Sequence, residues 1–326
     1  MTLEFKANKI PLPAKGWSMV LLIILLATWH SSLNAGGGQD EAKATHYFPP
    51  VKTHLLTSKI TGQTYEIHVM LPVSKKEGLE RFPVLYMTDA NGGIPISQMT
   101  RTMQTLSELP RFIVVGIGYP VPTIFQTLYL RQRDLTPSGK EARRYPVPIE
   151  GIVEIEKGKE VGGAPEFLDF IQNELKPFIN GKYNSIPEES GYFGHSLGGL
   201  FGLYVLFNKP ESFNRYVLGS PAMWWDNEII FSHARDFLAK NDRLNAAVYM
   251  AVGGTEEIAE PDKRYVSNLY KMDALLRSKP LAGFSLKTEA FPNAGHASVF
   301  GLLHSKGLRS VYGPVTCPPF SPTGCE

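Results

Sequence analysis

The chain has 326 residues, of which 43% are hydrophobic and 11% aromatic, enough to bury a large core within one domain. Its formal charge of +2 is accounted for at the N-terminus, where Lys6, Lys9 and Lys15 oppose Glu4. The remainder is near neutral, so nothing points to a nucleic-acid partner.

Those lysines precede the apolar run from Trp17 to Ala27, and small or polar residues follow through Ala35-Gly36. A charged segment before a short apolar run is the layout of a secretory signal peptide; extended to Leu33, the run makes an uncleaved N-terminal anchor. Residues 1–35 are expected to direct export, to the periplasm or the exterior, and membrane contact is expected only through them. Residues 36–52 are polar and turn-rich, a linker. The folded domain is expected over residues 53–312.

Within it, Leu55 to Lys59 and Tyr65 to Leu71 read as strands, the second alternating apolar and polar residues and carrying His68 as a pleat residue. Phe82 to Thr88 is a buried strand running into the Gly-rich loop Asp89-Ala90-Asn91-Gly92-Gly93. A helix is expected from Gln98 to Leu109, then a central parallel strand over the continuous apolar run Phe112 to Gly118. Between Tyr119 and Val161 no period is sustained, and so long an irregular segment is usually functional. It holds Arg131, Arg133, Lys140, Arg143 and Arg144. Two readings stay open for it, a solvated charged face or a rim that selects polar or anionic substrates.

Gly162 to Glu166 opens a helix, with Phe167, Phe170, Ile171, Leu175 and Phe178 at helical spacing. Further strands are expected at Phe213 to Gly219, Ala246 to Val252 and Phe284 to Phe291, with a helix over Val266 to Arg277. Trp224 and Trp225 follow the first of these strands, where they either line a pocket or pack under a loop. The Pro-rich tail, residues 313–326, holds both cysteines, Cys317 and Cys325. In an exported protein such a pair most simply closes a small loop by a disulfide.

The chemistry centres on Gly194-His195-Ser196-Leu197-Gly198, preceded by the apolar strand end Gly191-Tyr192-Phe193 and followed by an apolar helix from Gly199 to Phe207. A serine at so sharp a strand-to-helix turn is lifted off the sheet, and only glycine fits two positions before and two after it. The N–H of Leu197 then faces the approaching substrate as one oxyanion donor, and the N–H of Asn91, in the loop after the third strand, is the candidate for the second.

A serine hydroxyl needs a base, and the base an orienting carboxylate. His296 lies in a turn after the final strand. His30, His46, His54, His68, His195, His233 and His304 lie beside the leader, early in the fold, in the elbow itself or in helices. Glu256 or Glu257, after the penultimate strand, supplies the acid, and a Ser-His dyad stays open beside them. No metal or cofactor motif is present: the chain has no H-E-x-x-H, no Cys and His ligand spacing, no P-loop and no G-x-G-x-x-G after a strand.

With these residues in view, the chain resembles the putative esterase family of α/β-hydrolases, which includes siderophore (enterochelin) esterases, esterase D-like enzymes and mycolyltransferases. The resemblance is carried by Val84 to Asp89, Arg133-Asp134-Leu135-Thr136-Pro137, Gly163 to Pro177, Phe193 to Gly199, Ser220 to Trp225 and Gly295-His296. It implies a mostly parallel central sheet with helices on both faces. It also implies Ser196 as nucleophile, His296 as base, Glu256 or Glu257 as acid, and Leu197 and Asn91 as oxyanion donors. The siderophore-esterase branch is nearest in its arginine-aspartate motif and tandem tryptophans, so a siderophore lactone bound by Arg131, Arg133 and Trp224 is the expected substrate. Two positions depart from the family: Ala222 replaces a serine, and Ala90 replaces a glycine. Two rival readings are an acyltransferase using the same residues and a silent binding protein on a hydrolase fold.

Overall fold

Eight strands form one sheet in the order β1-β2-β4-β3-β5-β6-β7-β8. They are β1 (Lys52–Thr57), β2 (Thr64–Met70), β3 (Phe82–Met87), β4 (Ile113–Gly118), β5 (Ser185–His195), β6 (Arg215–Gly219), β7 (Arg243–Gly253) and β8 (Ala282–Phe291). β2 runs antiparallel to both of its neighbours and every other pairing is parallel, which is the α/β-hydrolase sheet. The computed structural model describes residues 50–73, 80–139 and 161–313. The expectations for residues 1–35, for Lys140, Arg143 and Arg144, and for Cys317 and Cys325 fall outside the described residues.

The pleat of β3 shows how the sequence covers both faces. Val84 and Tyr86 enter one apolar cluster, while Leu85 and Met87, pointing the opposite way, enter another. The first cluster is closed by α2 (Ile124–Leu135), α3 (residues 164–182), α4 (Leu197–Asn208), α5 (Ile230–Lys240) and α6 (Tyr265–Arg277). The second lies under α1 (Ala90–Thr105) and α7 (residues 299–312). β4, flanked by strands and buried along its whole length, is apolar throughout because neither of its faces meets water.

Three helices correct the sequence reading: α1 already begins at Ala90, within the segment expected to be a Gly-rich loop, and ends at Thr105 rather than Leu109. The segment expected to be irregular contains α2, whose inward side carries Thr127, Gln132 and Asp134 beside Leu130 and Leu135; with so polar a buried face the apolar period is lost. In α3, Ala164–Phe170 and Lys176–Lys182 flank a wider π turn, Ile171–Leu175. Pro177 has no N–H to give the preceding turn, and its ring would crowd the carbonyl four residues back, so the helix widens ahead of it. The extra residue moves the inward position from the expected Phe178, which is only partly buried, to Ile179, which is fully buried.

The parallel strands β3, β5, β6, β7 and β8 all end on one edge of the sheet. Asp89, Ser196, Ser220, Glu256 and His296 follow their carboxyl ends in turn, which is where an open α/β sheet forms its binding crevice.

Candidate active site

The turn between β5 and α4 puts Ser196 at φ 59, ψ −117, a conformation that a residue with a side chain keeps only under constraint. Three backbone hydrogen bonds impose it: Ser196 N–H donates to Gly219 O (2.8 Å), and Ser196 O accepts from Leu200 N–H and Ala222 N–H (3.0 Å each). Strand and helix close so tightly that a Cβ on Gly194 would lie 2.3 Å from Gly198 O, and one on Gly198 would lie 2.5 Å from Thr88 Oγ1. Tyr192, buried in β5, donates its hydroxyl to Gly198 O at 2.8 Å and ties the first helical turn to the strand. Leu197 opens α4, so the helix itself offers its N–H no acceptor.

The base and acid stand on two loops that are pinned to each other. Gly254 N–H donates to Phe291 O at 2.7 Å and Thr255 N–H to Ala294 O at 3.1 Å. Thr255 Oγ1 adds a second bond to Ala294 O at 2.9 Å. This brings His296 Nδ1 to 2.6 Å from Glu256 Oε2. The other oxygen, Oε1, accepts from Gly253 N–H at 2.5 Å and from Ser220 Oγ–H at 2.6 Å. Glu256 is only 2% exposed. A carboxylate so buried is tolerable only with such a full set of partners. Glu257 is directed elsewhere: its carboxylate takes the N–H and hydroxyl of Ser267 at 2.7 and 2.5 Å. Of the two candidate acids, the structure therefore brings Glu256 to the histidine.

The His296 ring lies between two others, 4.5 Å from that of His195 and 5.1 Å from that of Tyr265, centroid to centroid. His195 is the residue before Ser196, so this contact brings the β8 loop against the elbow. Burial first, then His296 and Arg131 nearby, holds the His195 imidazole well below the usual histidine range; it stays neutral while hydrogen-bonding the backbone of His296. The other described histidines are engaged in the scaffold: His54 with the Tyr183 hydroxyl, His68 with Thr53, His233 with Asn208 and His304 with Thr100.

Asn91 sits in the first turn of α1, directly after Asp89, which adopts the left-handed φ of 61. Its side chain exchanges two hydrogen bonds with the backbone of Tyr119: Nδ2–H donates to Tyr119 O at 2.7 Å, and Tyr119 N–H donates to Oδ1 at 2.8 Å. The Ala90 departure is absorbed across the sheet, because Gly116 leaves the room that its methyl needs; a Cβ there would lie 2.7 Å from that of Ala90.

The arginines expected to receive substrate are committed inside the fold. Arg131 forms a two-pronged ion pair with Asp89, Nε–Oδ1 2.7 Å and Nη2–Oδ2 2.9 Å. Arg133 does the same with its neighbour Asp134 at 2.6 and 2.8 Å. Guanidinium groups whose side chains are only 12% exposed are satisfied here by the nearest carboxylates. Trp225 is fully buried, its indole N–H donating to Ser138 O at 2.8 Å, so it packs under a loop. Trp224 is partly exposed, with Lys263 Nζ 5.4 Å over its ring.

Ser220, fully buried at φ 38, is a site residue that sequence reasoning did not single out. Its partner Glu256 lies 36 residues away, and no local pattern announces that contact. Among the described residues there is no group of three or more His, Cys, Asp or Glu side chains arranged to hold a metal ion. No helix among them is long and apolar enough to cross a membrane.

The chain has relatives among known esterases. The family model described as "Putative esterase" matches residues 132–273. The chain is 29% identical over 283 residues to the ferri-bacillibactin esterase BesA of Bacillus subtilis (strain 168), a match covering 82% of this chain and 91% of that protein. Among solved structures, the BES protein from Bacillus cereus superposes with a TM-score of 0.69 at 27% identity, covering 83% of this chain and 98% of that one. The siderophore hydrolase EstA from Aspergillus nidulans gives 0.66 at 27% identity, over 81% and 96%.

Proposed function

We propose that this chain, a member of the putative esterase family, is an exported serine hydrolase that cleaves the carboxylic esters of a siderophore. The observation that carries the reading is the Ser220–Glu256–His296 chain of hydrogen bonds, held against a strained serine elbow. Isolated parts of that arrangement have structural uses. Together they supply the orienting acid, the base and the exposed serine turn that acyl transfer through a serine uses.

In the proposed reaction Ser196 Oγ attacks the ester carbonyl carbon while His296 takes the hydroxyl proton on Nε2. Glu256, bonded to Nδ1, holds the tautomer in which Nε2 is free to accept, and stabilises the imidazolium that forms. Negative charge develops on the carbonyl oxygen, where the N–H groups of Leu197 and Asn91 receive it; losing one such donor typically costs about a hundredfold or more in rate. His296 returns the proton to the departing alcohol. Water then bonds to the acyl carbon as it gives a proton to the same nitrogen, and collapse breaks the bond to Ser196 Oγ, which takes that proton back as the acid leaves. The neutrality of His195 matters here, since a second positive charge beside the imidazolium would oppose proton transfer.

The siderophore assignment is supported by two relatives that match most of this chain's length, one named a ferri-bacillibactin esterase and the other a siderophore hydrolase. Export is supported by the basic and apolar leader of residues 1–35. The test is to incubate the protein with a panel of siderophore lactones and with simple nitrophenyl esters, beside Ser196→Ala. Ring-opened siderophore products that appear with wild type and not with the variant support the reading. Nitrophenyl turnover with every siderophore left intact would remove the substrate assignment and leave a general esterase.

A further inference from the structure

We propose that Arg131, with Asp89 as its counterpart, is a positioning residue that clamps the two halves of the oxyanion hole to each other; the proposal rests on the serine-hydrolase reading above. The two N–H donors stand on separate segments, Leu197 after β5 and Asn91 after β3. The β3–β5 pairing runs only to Met87 and Phe193, with Thr88 N–H donating to Phe193 O at 3.4 Å, and beyond it the two turns need a further tie to hold their spacing. Arg131 reaches both segments with one planar group. Its guanidinium holds Asp89 through two bonds of 2.7 and 2.9 Å, and Nη2 also donates to the backbone oxygen of His195 at 3.3 Å. Asp89 lies two residues before Asn91, and His195 two residues before Leu197.

Three further observations suit a clamp better than a substrate anchor. The Arg131 side chain is 12% exposed and that of Asp89 23%, so the pair lies largely beneath the crevice. The Asp89 carboxylate packs against the elbow itself, with Oδ2 3.3 Å from where a Cβ on Gly198 would be. Asp89 also holds a left-handed backbone, which a residue with a side chain adopts at a cost and keeps when its side chain is fixed. The Asn91–Tyr119 bonds brace the other end of the same turn. Oxyanion stabilisation depends on donors placed in advance of the reaction, and a displacement of about 1 Å can cost about a hundredfold in rate. Lysine cannot replace the clamp, because a single ammonium does not make the fork.

The test compares wild type, Arg131→Ala, Arg131→Lys and Asp89→Asn in the full-length protein, using an uncharged nitrophenyl ester and recording kcat, KM and Tm. The clamp predicts a fall in kcat of about 30- to 100-fold in Arg131→Ala, with KM within about twofold. Arg131→Lys is expected to recover little of the loss, and added methylguanidinium to restore part of the Arg131→Ala rate without affecting Asp89→Asn. A kcat in Arg131→Ala within threefold of wild type overturns the proposal. So does a loss that appears in KM alone, which would mark a substrate contact. If Arg131→Ala does not fold, Asp89→Asn decides by the same kcat criterion, since it keeps the side-chain shape and removes the charge. A wild type that is inert and leaves Ser196 unlabelled by a fluorophosphonate removes the hydrolase reading and the clamp with it. An active wild type with an unaffected Arg131→Ala removes the clamp alone.

Discussion

Glu256→Gln separates a triad from a dyad, and the structure sets the size of its effect. Oε1 now accepts from Gly253 N–H and Ser220 Oγ–H, while Oε2 faces His296 Nδ1. The amide keeps its oxygen toward the two donors, so its NH2 must turn toward Nδ1. That nitrogen then has to accept, the ring proton moves to Nε2, and the imidazole can no longer take the serine proton. The equivalent wrong-tautomer substitution in a serine protease triad lowers kcat about 10⁴-fold, which at about 1.4 kcal/mol per factor of ten is about 5 kcal/mol of transition-state stabilisation. We expect a kcat lower by about 10³ to 10⁴, with the fold retained because the amide has the shape of the carboxylate. Glu257→Gln is expected to leave kcat unchanged, since its partner is Ser267. Stopped-flow or steady-state hydrolysis of a nitrophenyl ester, with Tm for each variant, makes the comparison. A Glu256→Gln enzyme retaining more than a tenth of wild-type kcat would refute the reasoning and favour a dyad.

Three further outcomes follow from the same contacts. Ser220→Ala removes one hydroxyl donor from a buried carboxylate, a bond of the kind worth about 1.5–3 kcal/mol. Thermal unfolding should show a loss of that order, accompanied by a fall in kcat; an unchanged Tm would mean that Gly253 N–H alone satisfies Oε1. Gly194→Ala drives a methyl into the backbone oxygen of Gly198, and denaturant unfolding should show a loss at or beyond the upper end of the about 1–3 kcal/mol typical of overpacking. Burial pushes the His304 imidazole down to about 4. The unfolded chain therefore takes up this proton first as pH falls. Stability from this group is complete above about pH 6.5 and declines between about 6.5 and 4, by about 3 kcal/mol in all. His304→Gln should flatten ΔG of unfolding against pH over that window; an unchanged slope would show that other groups govern it.

The strand ends and the tight elbow at Ser196 are legible because they are local. Apolar runs such as Phe112 to Gly118 and the paired glycines around Ser196 carry their own explanation within a few residues. The antiparallel setting of β2 and the strand order depend on contacts far apart in the chain; the family resemblance implies only a mostly parallel sheet. α2 escaped because its inward face is built from Thr127, Gln132, Asp134 and paired arginines, which erase the apolar period that a sequence reading depends on. The engagement of Arg131 inside the fold, where the sequence leaves it either a solvated charge or a substrate contact, is invisible to composition for the same reason: its ion-pair partner lies 42 residues away. The choice between Glu256 and Glu257 was likewise out of reach, since neighbours in sequence differ here only in which side of a short helical turn each faces.

The central claim is that Ser196 is a nucleophile activated by His296. Labelling the folded protein with a fluorophosphonate, followed by peptide mass mapping, tests it most directly. One adduct is expected, on the peptide containing Ser196, abolished in Ser196→Ala and strongly slowed in His296→Ala. A folded wild type that hydrolyses esters yet carries no adduct on Ser196, or carries it on another residue, would contradict it.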